Sequence, residues 1–390
     1  MKITAVSPLV LGTPWRNLTF VKVETDGGIY GLGEVRLANR TNALLGYLSE
    51  AMPRYAIGHD PFDIEDLVSK MMIGDFGRMG EITMSAVSII EMACWDIMGK
   101  SLGLPCYRLM GGAVRDRIKA YANGWYTVER SPQMFHEAAM RVVELGYLAL
   151  KLDPFGAGRY ELTLDEQARA VDLVAAVRDA IGPERDIMLE MHGRFSPATA
   201  ILMANKLEKF RLTWIEEPVP PENLPELKRV AERVSVPIAV GERMHTMHEF
   251  RSLFDHYAVD IIQPDISHFG GLTLTRRLAA WADVYNVLIA PHNVGGPVST
   301  AAALHIAACT PNFMIQEHFN DFADSWVKQA APGVPEVVDG YFSLPTATGL
   351  GVELNESVFS EHPQIEAHFN LFKEEWHRRD MGKTNESTFE

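Results

Sequence analysis

The sequence predicts an α/β protein: a (β/α)8 barrel of the TIM type preceded by an α+β domain. Three observations carry this expectation. Eight short apolar runs recur between residues 118 and 317, separated by amphipathic helical stretches, and that many parallel βαβ units close into a barrel. The preceding stretch of about 110 residues has another rhythm, strands first and helices after. At 390 residues the chain also exceeds one ordinary domain, which takes about 150.

The first 30 residues read as a hairpin. Phe20 to Glu24 (FVKVE) alternates weakly, Asp26-Gly27-Gly28 signals a turn, and Ile29 to Gly33 resumes a strand. From Thr41 to about Leu109 the pattern turns helical, and Met84 to Gly99 is apolar on nearly all sides, as a buried helix is. The glycines of GDFGRMG (Gly74, Gly77, Gly80) predict a mobile loop. Neither they nor GLGEVR (31–36) fits a phosphate or dinucleotide fingerprint. After Gly111-Gly112 come the eight runs: IKAYA (118–122), YLALKL (147–152), DIMLEM (186–191), LTWIEEP (212–218), VPIAVGE (236–242), VDIIQPD (259–265), VLIAPH (287–292) and FMIQE (313–317). Helices are predicted between them, among others over Asp165 to Ala180, Ala198 to Phe210 and Leu272 to Tyr285. The polar tail from Asp380 to Glu390 is expected to fray.

Composition removes several function classes. Hydrophobic residues make up 47% and charged residues 22%, a balance that supports a sizeable core. Acids outnumber bases 51 to 36, a net charge of −15, so a binder of nucleic-acid backbone is not expected. A small anion held in a local pocket remains compatible with that sign. Cys94, Cys106 and Cys309 are too few and scattered for a disulfide framework or a zinc site. Thr4, Ser7, Pro8 and Thr13 interrupt any apolar leader, and nowhere do 18 apolar residues run together. The expectation is a cytoplasmic protein that does not enter the membrane.

Barrel enzymes place their chemistry at the C-terminal ends of the strands. The polar residues that end the runs are Lys151, Glu190, Glu216, Glu242, Asp265, His292 and Glu317. From Glu190 onward the gaps are 26, 26, 23, 27 and 25 residues, each close to one βα unit. Three consecutive strands therefore deliver three carboxylates to one part of the mouth. Such carboxylates repel one another and need a compensating charge. Three oxygen ligands with positions left open suit a hard divalent ion, Mg²⁺. Taken singly, each Glu reads as an ordinary solvated acid; the equal spacing favours the metal. Asp265 and His292 lie on neighbouring strands, where a carboxylate fixes one imidazole nitrogen and leaves the other to take a proton. His192, two residues past Glu190, is expected on the same side of an extended strand end. Glu317 closes the ring, and Lys151 contributes a cation.

At this point the residues match a family. WIEEP (214–218), VGER (240–243), QPDISHFGG (263–271) and APHN (290–293) resemble the enolase superfamily. Within it the likeness is to the mandelate racemase subgroup and to acid-sugar dehydratases such as galactonate and mannonate dehydratases. It covers nearly the whole chain. The resemblance implies a modified barrel, residues 116–345, under a capping domain built from residues 1–115 and completed by a C-terminal segment, 346–390. It implies one Mg²⁺ per active site, ligated by Glu190, Glu216 and Glu242. His292 with Asp265 would be the base dyad, His192 in EMHGR (190–194) the dehydratase acid, and Glu317 a partner of the substrate carboxylate. Dimers and octamers are common among such relatives, so a homo-oligomer is expected. Two positions depart from the subgroup: Glu190 stands where Asp is usual, and Lys151-Leu152-Asp153 replaces Lys-x-Lys, leaving Lys151 to steady an anionic intermediate.

The implied reaction is abstraction of the proton α to a carboxylate, then loss of the β-hydroxyl, turning a sugar acid into a 2-keto-3-deoxy acid. A racemase or epimerase needs bases on both faces of the α-carbon, and Asp153 in place of a second Lys argues against one. A cycloisomerase needs only the enolisation step. A non-catalytic barrel with a structural or binding role is the reading from another class. HTMHEF (245–250) matches no zinc-hydrolase motif. Candidate substrate contacts are Trp15, Arg16 and Asn17 in the N-terminal loop, Asn123, Trp125, Arg194 and His245 around the mouth, and Phe76 and Arg78 in the glycine loop.

Overall fold

In the computed structural model, which describes residues 1–379, the chain opens with three antiparallel strands rather than a hairpin. β1 (Ile3–Gly12), β2 (Asn17–Thr25) and β3 (Tyr30–Val35) pair in that order, with Leu9 opposite Phe20 and Val21 opposite Gly33. Thr4, Ser7 and Pro8 hid β1 from a pattern search, because its alternation is blurred and its middle lies toward solvent. Helices α1 (Thr41–Tyr55), α2 (Ile64–Gly74) and α3 (Glu81–Leu102) pack on this sheet. A side chain at Gly33 would collide with the Ile89 carbonyl, so glycine is what lets α3 lie directly on β3. By length and composition α3 could cross a membrane, yet most of it is buried inside the protein. A short α4 (Cys106–Leu109) leads into the second part of the chain.

There the eight apolar runs become eight strands. They are β4 (Arg117–Ala122), β5 (Ala149–Leu152), β6 (Asp186–Glu190), β7 (Trp214–Glu216), β8 (Ile238–Val240), β9 (Ile261–Ile262), β10 (Leu288–Ile289) and β11 (Gln316–His318). From β4 to β10 each pairs in parallel with the next, and β11 pairs in parallel with β4. A parallel bridge between Ile289 and Phe313 joins β10 to the segment entering β11 and closes the barrel. Inside, Tyr121, Ala149, Met188, Trp214, Ala239, Ile261, Ala290 and Ile315 form one packed cluster with a residue from every strand run.

Seven helices fill the connections: α5 (Pro132–Glu144), α6 (Leu164–Ile181), α7 (Pro197–Leu207), α8 (Leu224–Ala231), α9 (Met247–His256), α10 (Gly271–Val284) and α11 (Pro297–Cys309). Thr163 with Glu166 and Thr246 with Glu249 form capping boxes at α6 and α9. The helix expected to reach Phe210 stops at Leu207 and finishes in a 3-10 turn. After α12 (Ser325–Gln329), strand β12 (Tyr341–Ser343) runs antiparallel along the N-terminal half of β4, and α13 (Glu356–Glu361) returns to the N-terminal sheet.

Two buried glutamates join the halves. Glu91 of α3 accepts from the Leu272 and Thr273 amides at the start of α10, at 2.8 and 2.9 Å. Glu34 of β3 accepts from Val298 and Ser299 at the start of α11, at 2.8 and 3.1 Å. Unpaired amides at a helix N-terminus attract a carboxylate, although burial still pushes both acids up to about 7. The C-terminal segment straps the N-terminal sheet, where Asn17 exchanges two bonds with the Ile365 backbone and Phe359 meets Phe20 edge-on at 5.0 Å. The fraying expected of Asp380 to Glu390 lies outside the described residues.

Candidate active site

Register brings the carboxylates together. Glu190 and Glu216 end neighbouring strands as direct partners, and Glu242 follows β8 by two residues. One oxygen from each lies within 4.8 Å of the others. Glu216 accepts from Trp214 Nε1 at 2.9 Å and from Lys151 Nζ at 2.6 Å. Glu190 accepts at Oε1 from the His192 amide at 2.6 Å, while its buried Oε2 has no hydrogen-bond partner. Burial, together with the field of neighbouring acids, raises Glu190 and Glu216 above the usual carboxylate range. Burial also opposes charge on Glu242, but His292 and Arg243 outweigh it and hold that carboxyl low. An all-oxygen donor set with a buried oxygen that accepts no hydrogen bond and meets only the Lys151 ammonium at 3.5 Å fits a hard cation.

Lys151 is buried among these acids, 3.0 Å from Glu317 and 3.5 Å from Glu190. Its desolvation is outweighed by Glu216 and Glu317, which hold it charged. Glu317 differs from expectation. It is fully buried, with one oxygen taken by Asn123 Nδ2 at 2.7 Å and Lys151, the other by the Asn293 amide at 2.7 Å. It therefore faces Lys151 and not the cavity.

Asp265 and His292 form a direct pair, Oδ2 to Nδ1 at 2.7 Å. Ser267 holds the other Asp265 oxygen through its amide at 2.8 Å and its hydroxyl. His292 Nε2 is left toward Glu242 at 3.4 Å. Burial disfavours charge on this imidazole, but Glu242, Glu317 and Asp265 together push it up to about 10.

His192 reaches the cavity by a different route from the one expected. Its φ of 48° is left-handed, so the strand has already turned there. Its Nδ1 lies 2.6 Å from Asp153 Oδ2, making a second His–Asp pair. Asp153 is itself fully buried, accepts from the Phe155 amide at 2.9 Å and pairs with Arg194. It is no free base. Burial pulls His192 down to about 4, so the imidazole is neutral where it stands.

These groups open into a cavity of about 510 Å³ between the barrel mouth and the N-terminal half. Of the predicted substrate contacts, Trp15, Asn123 and His245 line it. Arg16, Asn17, Trp125 and Arg194 do not. Arg16 is buried against Trp15, and Asn17 holds the C-terminal strap. Trp125 donates to the Lys151 carbonyl at 2.8 Å, and Arg194 is spent on Asp153 and the Gly156 carbonyl. Phe76 is 99% exposed, and neither it nor Arg78 lines the cavity. Sequence reasoning missed Arg36, Tyr126, His268, Phe319, Trp376 and Arg379, which do. Arg36 carries a faint sign in the sequence, as the polar end of GLGEVR (31–36), a stretch that falls short of a dinucleotide fingerprint.

Residues 133–358 match the family described as enolase C-terminal domain-like, and residues 10–111 match the mandelate racemase / muconate lactonizing enzyme N-terminal domain. The D-gluconate dehydratase of Thermoproteus tenax is 35% identical over 368 residues, covering 92% of this chain and 74% of that one. The crystal structure of a mandelate racemase/muconate lactonizing enzyme from Sulfitobacter sp. is similar, with a TM-score of 0.88 at 33% identity, over 94% of this chain and 96% of that one. That of another from Jannaschia sp. CCS1 gives 0.87 at 33%, over 94% and 99%.

Proposed function

This chain belongs to the enolase superfamily, in its mandelate racemase/muconate lactonizing enzyme subgroup, and from that membership we propose that it is an Mg²⁺-dependent sugar-acid dehydratase. One observation carries the reading: three carboxylates converge within 4.8 Å beside an imidazole already aligned by Asp265. The name of the Thermoproteus relative supports a hydroxyl-rich acid as the substrate class.

Glu190, Glu216 and Glu242 would hold the ion. When bound, it supplies positive charge for the substrate carboxylate and cancels the carboxylate field that keeps His292 protonated. His292, with Nδ1 fixed by Asp265, takes the α-proton at Nε2. Lys151, held charged and close by, steadies the negative charge that appears on the substrate. His192, with Nδ1 fixed by Asp153, presents Nε2 to the leaving β-hydroxyl. To act as the acid His192 takes up a second proton at Nε2 with the anionic substrate, whose charge favours the imidazolium that burial disfavours, and it passes that proton to the β-hydroxyl, which leaves as water. Loss of water gives an enol that becomes the 2-keto-3-deoxy acid.

One observation favours a second reading. The His192–Asp153 pair is a second aligned imidazole, and two such bases can move one proton between faces of the α-carbon, as an epimerase does. With His192 aligned by Asp153, a second Lys is not required for a base on the other face. Incubation with Mg²⁺ and a panel of sugar acids in D₂O, followed by NMR and semicarbazide detection, separates the two. A new keto acid supports dehydration; deuterium at the α-carbon with no keto acid overturns it in favour of epimerisation.

A further inference from the structure

At the cavity wall contributed by the N-terminal half and the C-terminal strap lie cations that no direct ion pair neutralises. Elsewhere in the cavity the charges match: Lys151 with Glu216 and Glu317, Arg40 with Glu81, Arg243 with Glu217. Among the described residues Arg16, Arg36 and Arg379 form no ion pair. They pack on aromatic rings instead. The Arg16 guanidinium lies 4.5 Å from the Trp15 ring and 4.7 Å from Phe319. Arg379 lies 5.2 and 4.3 Å from the same two rings, and Arg36 is 5.6 Å from Trp15 and 5.4 Å from Phe369.

Their hydrogen bonding is also incomplete. Arg16 donates to the Val294 carbonyl, and Arg379 to those of Phe322 and Gly124. Nε and Nη2 of Arg16 and Nε of Arg36 are buried without partners. Glu34 acts on Arg16, but its oxygens are occupied by the amides at the start of α11. Burial holds all three guanidiniums below their ordinary range; repulsion by Arg36 and Arg379 adds to it at Arg16, while the more distant fields of Glu242 and Asp265 at Arg36, and of Asp324 at Arg16 and Arg379, offset it only in part. Aromatic faces soften this repulsion without removing it. Planar guanidiniums with spare donors are matched by a carboxylate or phosphate.

The substrate carboxylate does not meet this demand, because on the dehydratase reading its charge is matched by the ion and by Lys151 at the barrel strands. We propose that Arg36 and Arg379, backed by the charge of Arg16, bind a second anionic group, so that the preferred sugar acid carries a carboxylate or phosphate besides the carboxylate next to the reacting carbon. The inference rests on the dehydratase reading and narrows its substrate class.

The test uses the full chain with Mg²⁺ and compares kcat/KM for six-carbon aldonates, the matching aldarates and 6-phosphoaldonates. One of the dianions exceeds its aldonate by at least about ten-fold, the scale of hydrogen bonds to charged groups; which of the two does so identifies the anion. Arg36→Gln and Arg379→Gln bring that ratio toward one, and Arg36→Lys restores part of it. An aldonate used as well as both dianions overturns the proposal, on the wild-type protein alone. If no acid yields a keto acid, the dehydratase reading has failed instead. Calorimetry with the same acids then decides: tighter binding of a dianion, lost in Arg36→Gln, upholds the subsite, and equal binding removes it.

Discussion

Replacing Asp153 by Ala removes the one carboxylate that holds both Arg194 and His192. The side chains of Asp153 and Arg194 are both fully buried, so the substitution strands a guanidinium in the interior. Breaking a buried pair from one side costs about 3–5 kcal/mol. The Arg194 bonds to the Gly156 and Met191 carbonyls remain, which places the expected loss at the lower end, about 3 kcal/mol. Urea unfolding of Asp153→Ala, Arg194→Met and the double variant measures it. Because the single change leaves a charge that the double change removes, the cycle gives a coupling of at least about 1 kcal/mol. A double variant that loses the sum of the two single losses would refute the reasoning. In the same variant His192 loses the partner of Nδ1, and we expect kcat to fall more than KM changes.

His292→Asn lowers turnover by at least about a hundred-fold while thermal unfolding and Mg²⁺ binding stay as in the wild type; retained activity removes the dyad from the mechanism. Glu216→Gln weakens Mg²⁺ affinity by at least about ten-fold, by titration calorimetry, since one of three anionic ligands is lost; unchanged affinity means that the ligand set is wrong. His305, which is fully buried between the Tyr107 amide and the Leu350 carbonyl, sets an acid limit on stability. Burial lowers it from 6.5 to about 4, so the folded chain stays neutral while the unfolded chain gains a proton. Its contribution is complete above the unfolded value and is lost as pH falls toward the folded one, about 2 kcal/mol between about pH 7 and about pH 5. Urea titrations of wild type and His305→Gln at the two pH values check this, with the smaller pH loss expected in the variant.

The barrel and its acids were legible because the βα unit is a local object. Glu190, Glu216 and Glu242 recur at one unit's spacing, and pairing of neighbouring strands turns that spacing directly into proximity. The Asp265–His292 bond follows from the same rule. Local pattern failed where the chain leaves regular structure. Past Glu190 the backbone turns left-handed, so an extended-strand argument could place His192 near the site but not disclose its bond to Asp153. It also failed for Glu317, whose strand-end position said nothing of the three donors that enclose it.

What the amino-acid order determined alone is the periodic part: eight parallel strands, the acids at their ends, and the base beside them. Tertiary structure decided the wall above. Trp15, Arg36, Phe369 and Arg379 meet although some lie more than 300 positions apart in the chain. Glu34 and Glu91 hold that wall on the barrel by reaching helix N-termini far along the sequence. Contacts of this range depend on how every intervening element packs, and no spacing within a short window encodes them.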